Sequence, residues 1–155
     1  MDAEIIKFLA QAAIAVGGAF LAANLATRRF RKEKWWERKA NAYSELVEAL
    51  HHMKWYPSEH IDAAIENREL DKEDKDEYWK RYREARRNVW RIADASSFLV
   101  SPKVHEAIVE MEKELGEART ADWWLEHAEQ QYAAIQKCLV RIKDLARHEL
   151  DVKDA

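Results

Sequence analysis

At 155 residues the chain has the size of one compact domain plus an appended segment, and nothing in it marks a second domain. Three Gly and two Pro beside abundant Ala, Glu, Lys, Arg and Leu exclude a hairpin-rich β fold and predict an all-α body, and the lone Cys138 excludes an intramolecular disulfide. The net charge of −3 is unevenly spread: residues 28–39 carry seven Lys or Arg against Glu33 and Glu37, so the rest of the chain is acidic.

The first predicted element is the apolar stretch Ile5 to Ala26. About 22 residues in a helix rise about 33 Å, which matches the ~30 Å hydrocarbon core of a bilayer. A cleaved signal peptide places its positive charges before the apolar core, whereas here they follow it. A buried helix of a soluble protein is the competing reading, because Lys7, Gln11 and Asn24 interrupt the run. Lys7 and Asn24 lie near its ends, where they reach headgroups, so a single-pass transmembrane helix is expected over residues 1–27. Ala15, Ala19 and Ala23 recur every fourth residue, and Gly18 and Ala22 do the same on a second row. With Gln11 as an interhelical hydrogen-bonding group, that small-residue face predicts association with a second copy.

Residues 28–39 form a basic juxtamembrane collar. Arg28, Arg29, Arg31, Lys32 and Lys34 are placed to meet anionic lipid headgroups. By the positive-inside rule the N-terminus lies outside an inner or plasma membrane and the body in the cytoplasm.

Residues 40–150 read as an antiparallel bundle of three or four helices with short connections, and residues 151–155 as a frayed tail. No Pro or Gly occurs between Ala19 and Tyr56, so the membrane helix continues into the first bundle helix. Its expected stripe is Trp36, Ala40, Tyr43, Val47 and Leu50, widened by Leu46 and Met53. Pro57 is expected to end this helix, with a short helix over Glu59 to Asn67 after it. A second long helix, capped by Asp71, is predicted from Lys72 to Val100 with Tyr78, Tyr82, Ala85, Val89, Ile92 and Ser96 inward. Lys80, Arg87 and Arg91 point the opposite way, Arg83 extends the basic side, and Trp79 and Trp90 lie on the flank between. Trp79, Arg83, Arg87, Trp90 and Arg91 are the candidate partner surface. Ser101-Pro102 opens a third helix with Val104, Ile108, Met111 and Leu115 inward and Gly116 as a C-cap or kink. Thr120 is the expected cap of the last helix, whose stripe is Trp124, Ala128, Gln131, Ile135, Cys138, Ile142 and Leu145.

Chemistry-bearing patterns are sparse. Glu48 and His51 have the Glu-x-x-His spacing of a metal-binding bundle, but none of the other five histidines has an acid three positions before it. No metal or other cofactor is expected. Cys138 falls on a core stripe and reads as a small buried hydrophobe rather than a nucleophile. The mixture YWKRYREARRNVWR has the cations and rings of a nucleic-acid surface, but Glu77 and Glu84 interrupt it and the body is acidic, so nucleic acid is not an expected partner. The reading that remains is a membrane-anchored, non-enzymatic interaction protein. A membrane-perturbing effector, such as a toxin or defence component, that self-associates through its transmembrane helix is the alternative; a metal-dependent helical-bundle enzyme is the weakest.

Overall fold

The computed structural model describes residues 2–119 and 123–151, with side chains described at residue 18 and from residue 21 onward in those ranges. The chain forms four helices: α1 (Asp2–Ile65), α2 (Lys72–Ala95), α3 (Pro102–Ala118) and α4 (Trp124–Glu149). Among the described residues there is no strand. The chain divides into two compact units, Met1–Glu37 and Arg38–Ala155.

In the first unit every described side chain is exposed. Thr27 donates its hydroxyl to Ala23 O (2.8 Å), and Arg29–Glu33 and Lys34–Glu37 form ion pairs at 3.1 and 2.6 Å. Among the described residues no helix is long and apolar enough to cross a membrane, so the span expected at Ile5 to Ala26 gains no support there. Most of that stretch, including the side chains of Gln11, Ala15 and Ala19, lies outside the described residues.

In the second unit, cross-helix contacts define an antiparallel ring. Near one end of the bundle Trp55 and Tyr56 of α1 meet Tyr78 and Trp79 of α2, and α2 joins α3 through Arg86 and Glu112. Helix α3 joins α4 through Glu110 and Lys137. Helix α4 closes on α1 through Gln136–Lys54 at 3.0 Å and Glu149–Lys39 at 2.6 Å. The core is built from Tyr43, Leu46, Leu50 and Met53 of α1, Tyr82, Val89 and Ile92 of α2, Val104, Ile108 and Met111 of α3, and Ile135, Cys138 and Ile142 of α4. Each large aliphatic side chain withdrawn from water in this way contributes about 1.5–3 kcal/mol before entropy is counted.

Several local expectations need correction. Helix α1 runs through Pro57 rather than stopping there. The missing N–H costs one ladder bond, but the proline ring is itself fully buried, and Trp55 and Tyr56 just before it pack on α2 rings. The separate short helix is therefore the last part of α1. It ends in a Schellman turn, with Asn67 at φ 51° and Arg68 N–H donating to Ala63 O at 2.8 Å. Trp36 is not a core residue: it is 54% exposed, and among the described residues the first buried side chains of α1 are Ala42 and Tyr43. Val47 is only half-buried while Leu46 is fully so, which rotates the seam from the expected line.

Helix α2 has the expected cap, with Asp74 N–H donating to Asp71 Oδ1 (2.8 Å), but ends at Ala95 instead of Val100. Ser96 and Ser97 donate their hydroxyls back to Ile92 O and Asp94 O at 2.6 and 2.8 Å, and the chain turns there. Gly116 neither caps nor marks an end; it lies within α3, which continues to Ala118. Trp124 is 53% exposed, and Ala128 is the first buried member of the α4 stripe. The residue at the N-cap of α4 is Trp123; Thr120 lies outside the described residues.

Candidate functional site

The antiparallel order gathers the end of α1, the start of α2, the end of α3 and the start of α4 at one end of the bundle, where apolar stripes give way to rings. The Tyr56 ring lies 4.6 Å from His60, 5.1 Å from Tyr82 and 5.5 Å from Trp79. Trp79 stacks on Tyr82 at 5.3 Å with planes 14° apart, and Trp55 meets Tyr78 edge-on at 4.6 Å. These separations are those of favourable aromatic pairs, each contributing about 0.5–1.5 kcal/mol beyond burial.

A cavity of about 230 Å³ opens among Tyr56, Trp79, Tyr82, Arg119, His127 and Gln131, with Leu115 and Arg86 completing its wall. Burial pushes the Tyr82 hydroxyl up to about 12 and raises that of Tyr56, so both are neutral donors. His127 contacts Ala118 O through Nδ1 at 2.6 Å. A carbonyl only accepts, so Nδ1 carries the proton. Gln131 is 6% exposed, yet its buried Oε1 has no hydrogen-bond partner. Arg86 is committed elsewhere: its guanidinium grips Glu112, which holds it above the usual arginine value despite partial burial. Beyond the rings, an open cleft of about 870 Å³ is lined by His60, Leu70, Lys75, Trp123 and Trp124. Burial, reinforced by the Lys75 charge, holds the His60 imidazole below its ordinary value.

The outer face of α2 carries the second feature. Lys80, Arg83, Arg87 and Arg91 follow spacings of three, four and four, which align them on one side of a helix, and all are exposed. Arg83 lies over the Trp79 ring at 5.8 Å and Arg91 Nε donates to Asn88 Oδ1 at 3.4 Å. Among the described residues no carboxylate pairs with these four cations, in contrast to Arg81, which pairs with Glu77, and Arg86.

The expected partner surface is thus divided. Trp79 and Arg83 are together and Arg87 and Arg91 continue their line, but Trp90 is turned towards α3, where its Nε1 donates to Glu112 (3.1 Å) and its ring meets His105 at 5.5 Å. Glu48 stands 3.7 Å from His52, one turn on, rather than acting with His51, whose ring packs edge-on to His52. Among the described residues no group of three His, Cys, Asp or Glu could hold a metal ion. In the collar, Arg29 and Lys34 are engaged with Glu33 and Glu37, while Arg28, Arg31 and Lys32 are exposed. Gly18, Ala22 and Ala23 are exposed.

Tyr56, His60, Arg119 and His127 were not legible as site residues, because only the meeting of four helix ends brings them together. Gln131 did leave a signal, as an amide inside an otherwise apolar stripe. No family model matches the chain, and no curated protein or solved structure is significantly similar to it.

Proposed function

We propose that the chain is a membrane-tethered, non-enzymatic binding protein whose helical body offers the α2 basic stripe to an acidic segment of a partner protein. The observation that carries this reading is the line Lys80, Arg83, Arg87 and Arg91, exposed and without carboxylate partners among the described residues, on a body that is otherwise acidic. Unpaired guanidinium groups suit bidentate recognition of carboxylates. Trp79 holds one of them over its ring, which lowers the entropy lost when a partner binds. Between Lys80 and Arg91 the acid on the same side is Glu84, while Asp76 and Asp94 lie on that face beyond the two ends of the stripe, so the positive charge is concentrated in its middle.

The tether is supported by the run from Phe8 to Ala26, which contains no charged residue, and by the collar that follows it. Arg28, Arg31 and Lys32 are free to meet anionic headgroups, at about 1 kcal/mol per cation near such a surface. Confinement to a membrane raises the effective concentration of the stripe for a partner on the same surface. The runner-up is a membrane-perturbing effector assembled through the small-residue face, favoured by Gly18, around which an added Cβ would meet nothing within 4 Å.

The test is photo-crosslinking in native membranes, with the probe at Arg87 on the stripe or at Lys113 on the exposed side of α3. Crosslinks to one acidic polypeptide from Arg87 only, weakened by salt and lost with Arg83→Glu, support the proposal. Equal capture from both positions removes the partner reading. Release of the chain from membranes by alkaline carbonate removes the tether, and depolarisation on expression that bulky residues at Gly18 and Ala22 abolish favours the effector.

A further inference from the structure

We infer that the cavity at the aromatic end of the bundle is a binding site for a small planar aromatic molecule that carries one N–H or O–H donor and one carboxylate. Its walls set the ring. Tyr56, Trp79 and Tyr82 surround a space of about 230 Å³. That is below the ~300–1,000 Å³ of drug-sized sites but above the ~150 Å³ that admits benzene, which selects a substituted single ring or a compact fused pair. The stacked Trp79 and Tyr82 rings have faces and edges, not bulky aliphatic ends, to offer a planar guest.

Gln131 sets the donor. Its Oε1 is buried without a partner while its residue lines the cavity. An unsatisfied buried acceptor costs on the order of 1–3 kcal/mol; Oε1 itself is closed to solvent, so a guest N–H or O–H recovers that cost by drawing the amide round into the cavity. Arg119 sets the charge. Of the two guanidinium groups on the wall, that of Arg86 is neutralised by Glu112, whereas among the described residues no carboxylate pairs with Arg119. A neutral aliphatic molecule of the same volume would satisfy neither group.

This site does not depend on the membrane tether or on the α2 stripe, although Trp79 belongs to both the cavity wall and the stripe's edge. The test is a titration of the full chain in lipid nanodiscs with para-hydroxybenzoate and indole carboxylate, beside neutral indole and hexanoate, read by protein NMR. The expected result is saturable binding of the two aromatic carboxylates with shifts confined to the Trp79 indole and the Gln131 amide. Arg119→Gln should weaken the carboxylates by about tenfold, the scale of one charge-assisted hydrogen bond, and leave indole unchanged. Gln131→Leu, which keeps side-chain volume and leaves no buried amide, should remove the preference for indole over its N-methyl form. Absence of saturable binding, binding of hexanoate as tightly as of the aromatics, or indifference to both substitutions would overturn the assignment. A cavity filled only by ordered water gives the first of these outcomes, and its failure leaves the partner reading untouched.

Discussion

Trp90 donates its indole N–H to Glu112 Oε1 at 3.1 Å, across the α2–α3 contact. Arg86, one turn earlier on α2, reaches the same carboxylate with Nε at 2.8 Å and also with Nη2. One acid on α3 therefore satisfies two half-buried donors of α2, and this is why Trp90 is not available to a partner. Removing the acid strands both donors. Glu112→Ala is expected to destabilise the bundle by about 2–3 kcal/mol, the cost of leaving charged and neutral donors unsatisfied. Glu112→Gln, which keeps an acceptor, is expected to lose about half of that. Urea unfolding of the two variants at neutral pH checks the order; equal losses would mean that the charge is irrelevant to the contact.

Gly116 offers a change in the opposite direction. It sits at an exposed position in the last turn of α3, two residues before the end, and a Cβ built there meets nothing within 4 Å. Glycine in a helix interior costs about 0.5–1 kcal/mol relative to alanine through unfolded-state entropy. In the last turn the gain is smaller, so Gly116→Ala is expected to raise stability by about half of that amount or less, with a slightly higher midpoint of thermal unfolding. A loss of stability would show that α3 needs the glycine backbone after all.

Gly116 and Pro57 also mark where sequence reading and structure part. Both are local signals for a helix end: at Pro57, which is itself fully buried and follows Trp55 and Tyr56 packed on α2 rings, the helix continues to Ile65, whereas Gly116 does lie near the end of α3 but two residues before its last one, the buried Ala118. Where the signal is a repeated stripe rather than a single residue, the agreement is closer. Tyr82, Ala85, Val89 and Ile92 are buried as their spacing demands, and so are Ala128, Ile135, Cys138 and Ile142. The basic line on α2 was legible for the same reason, since three- and four-residue spacing fixes a face. The aromatic cavity was not, because it depends on residues far apart in the chain coming together, such as Tyr56 against Tyr82, with Arg119 and Gln131 lining the same space.

Cys138 supplies a probe of the closed core. It is 3% exposed, and burial pushes its thiol up to about 12, so neither access nor thiolate is present in the native bundle. Labelling by a maleimide at neutral pH is expected to follow the rate of bundle opening and to be complete only in denaturant. Rapid stoichiometric labelling of the native chain would show that α4 opens locally. Cys138→Ser, which puts a hydroxyl in an apolar site, is expected to cost about 1–3 kcal/mol.

Two groups make stability depend on pH in the same direction. Burial, helped by Lys75, holds His60 below its ordinary 6.5. The unfolded chain thus binds a proton at higher pH than the folded one. The stability is fully present above about 6.5 and falls as pH drops from there towards the lowered folded value. Burial alone would raise the Glu149 carboxyl, but Lys39 at 2.6 Å, together with the nearby Ser101 and Tyr43 hydroxyls, holds it below the ordinary 4.5. Its contribution is present above 4.5 and is lost as pH falls through its lowered folded value, so the two losses come in sequence on acidification. Replacing His60 by Gln, which cannot titrate, is expected to flatten the stability profile just below pH 6.5 and leave the lower limb unchanged. Lys39→Met should reduce the lower limb only. Unfolding free energies measured in urea from neutral pH down to pH 4 separate the two limbs. A profile for His60→Gln that parallels the parent would remove His60 as the source of the upper one.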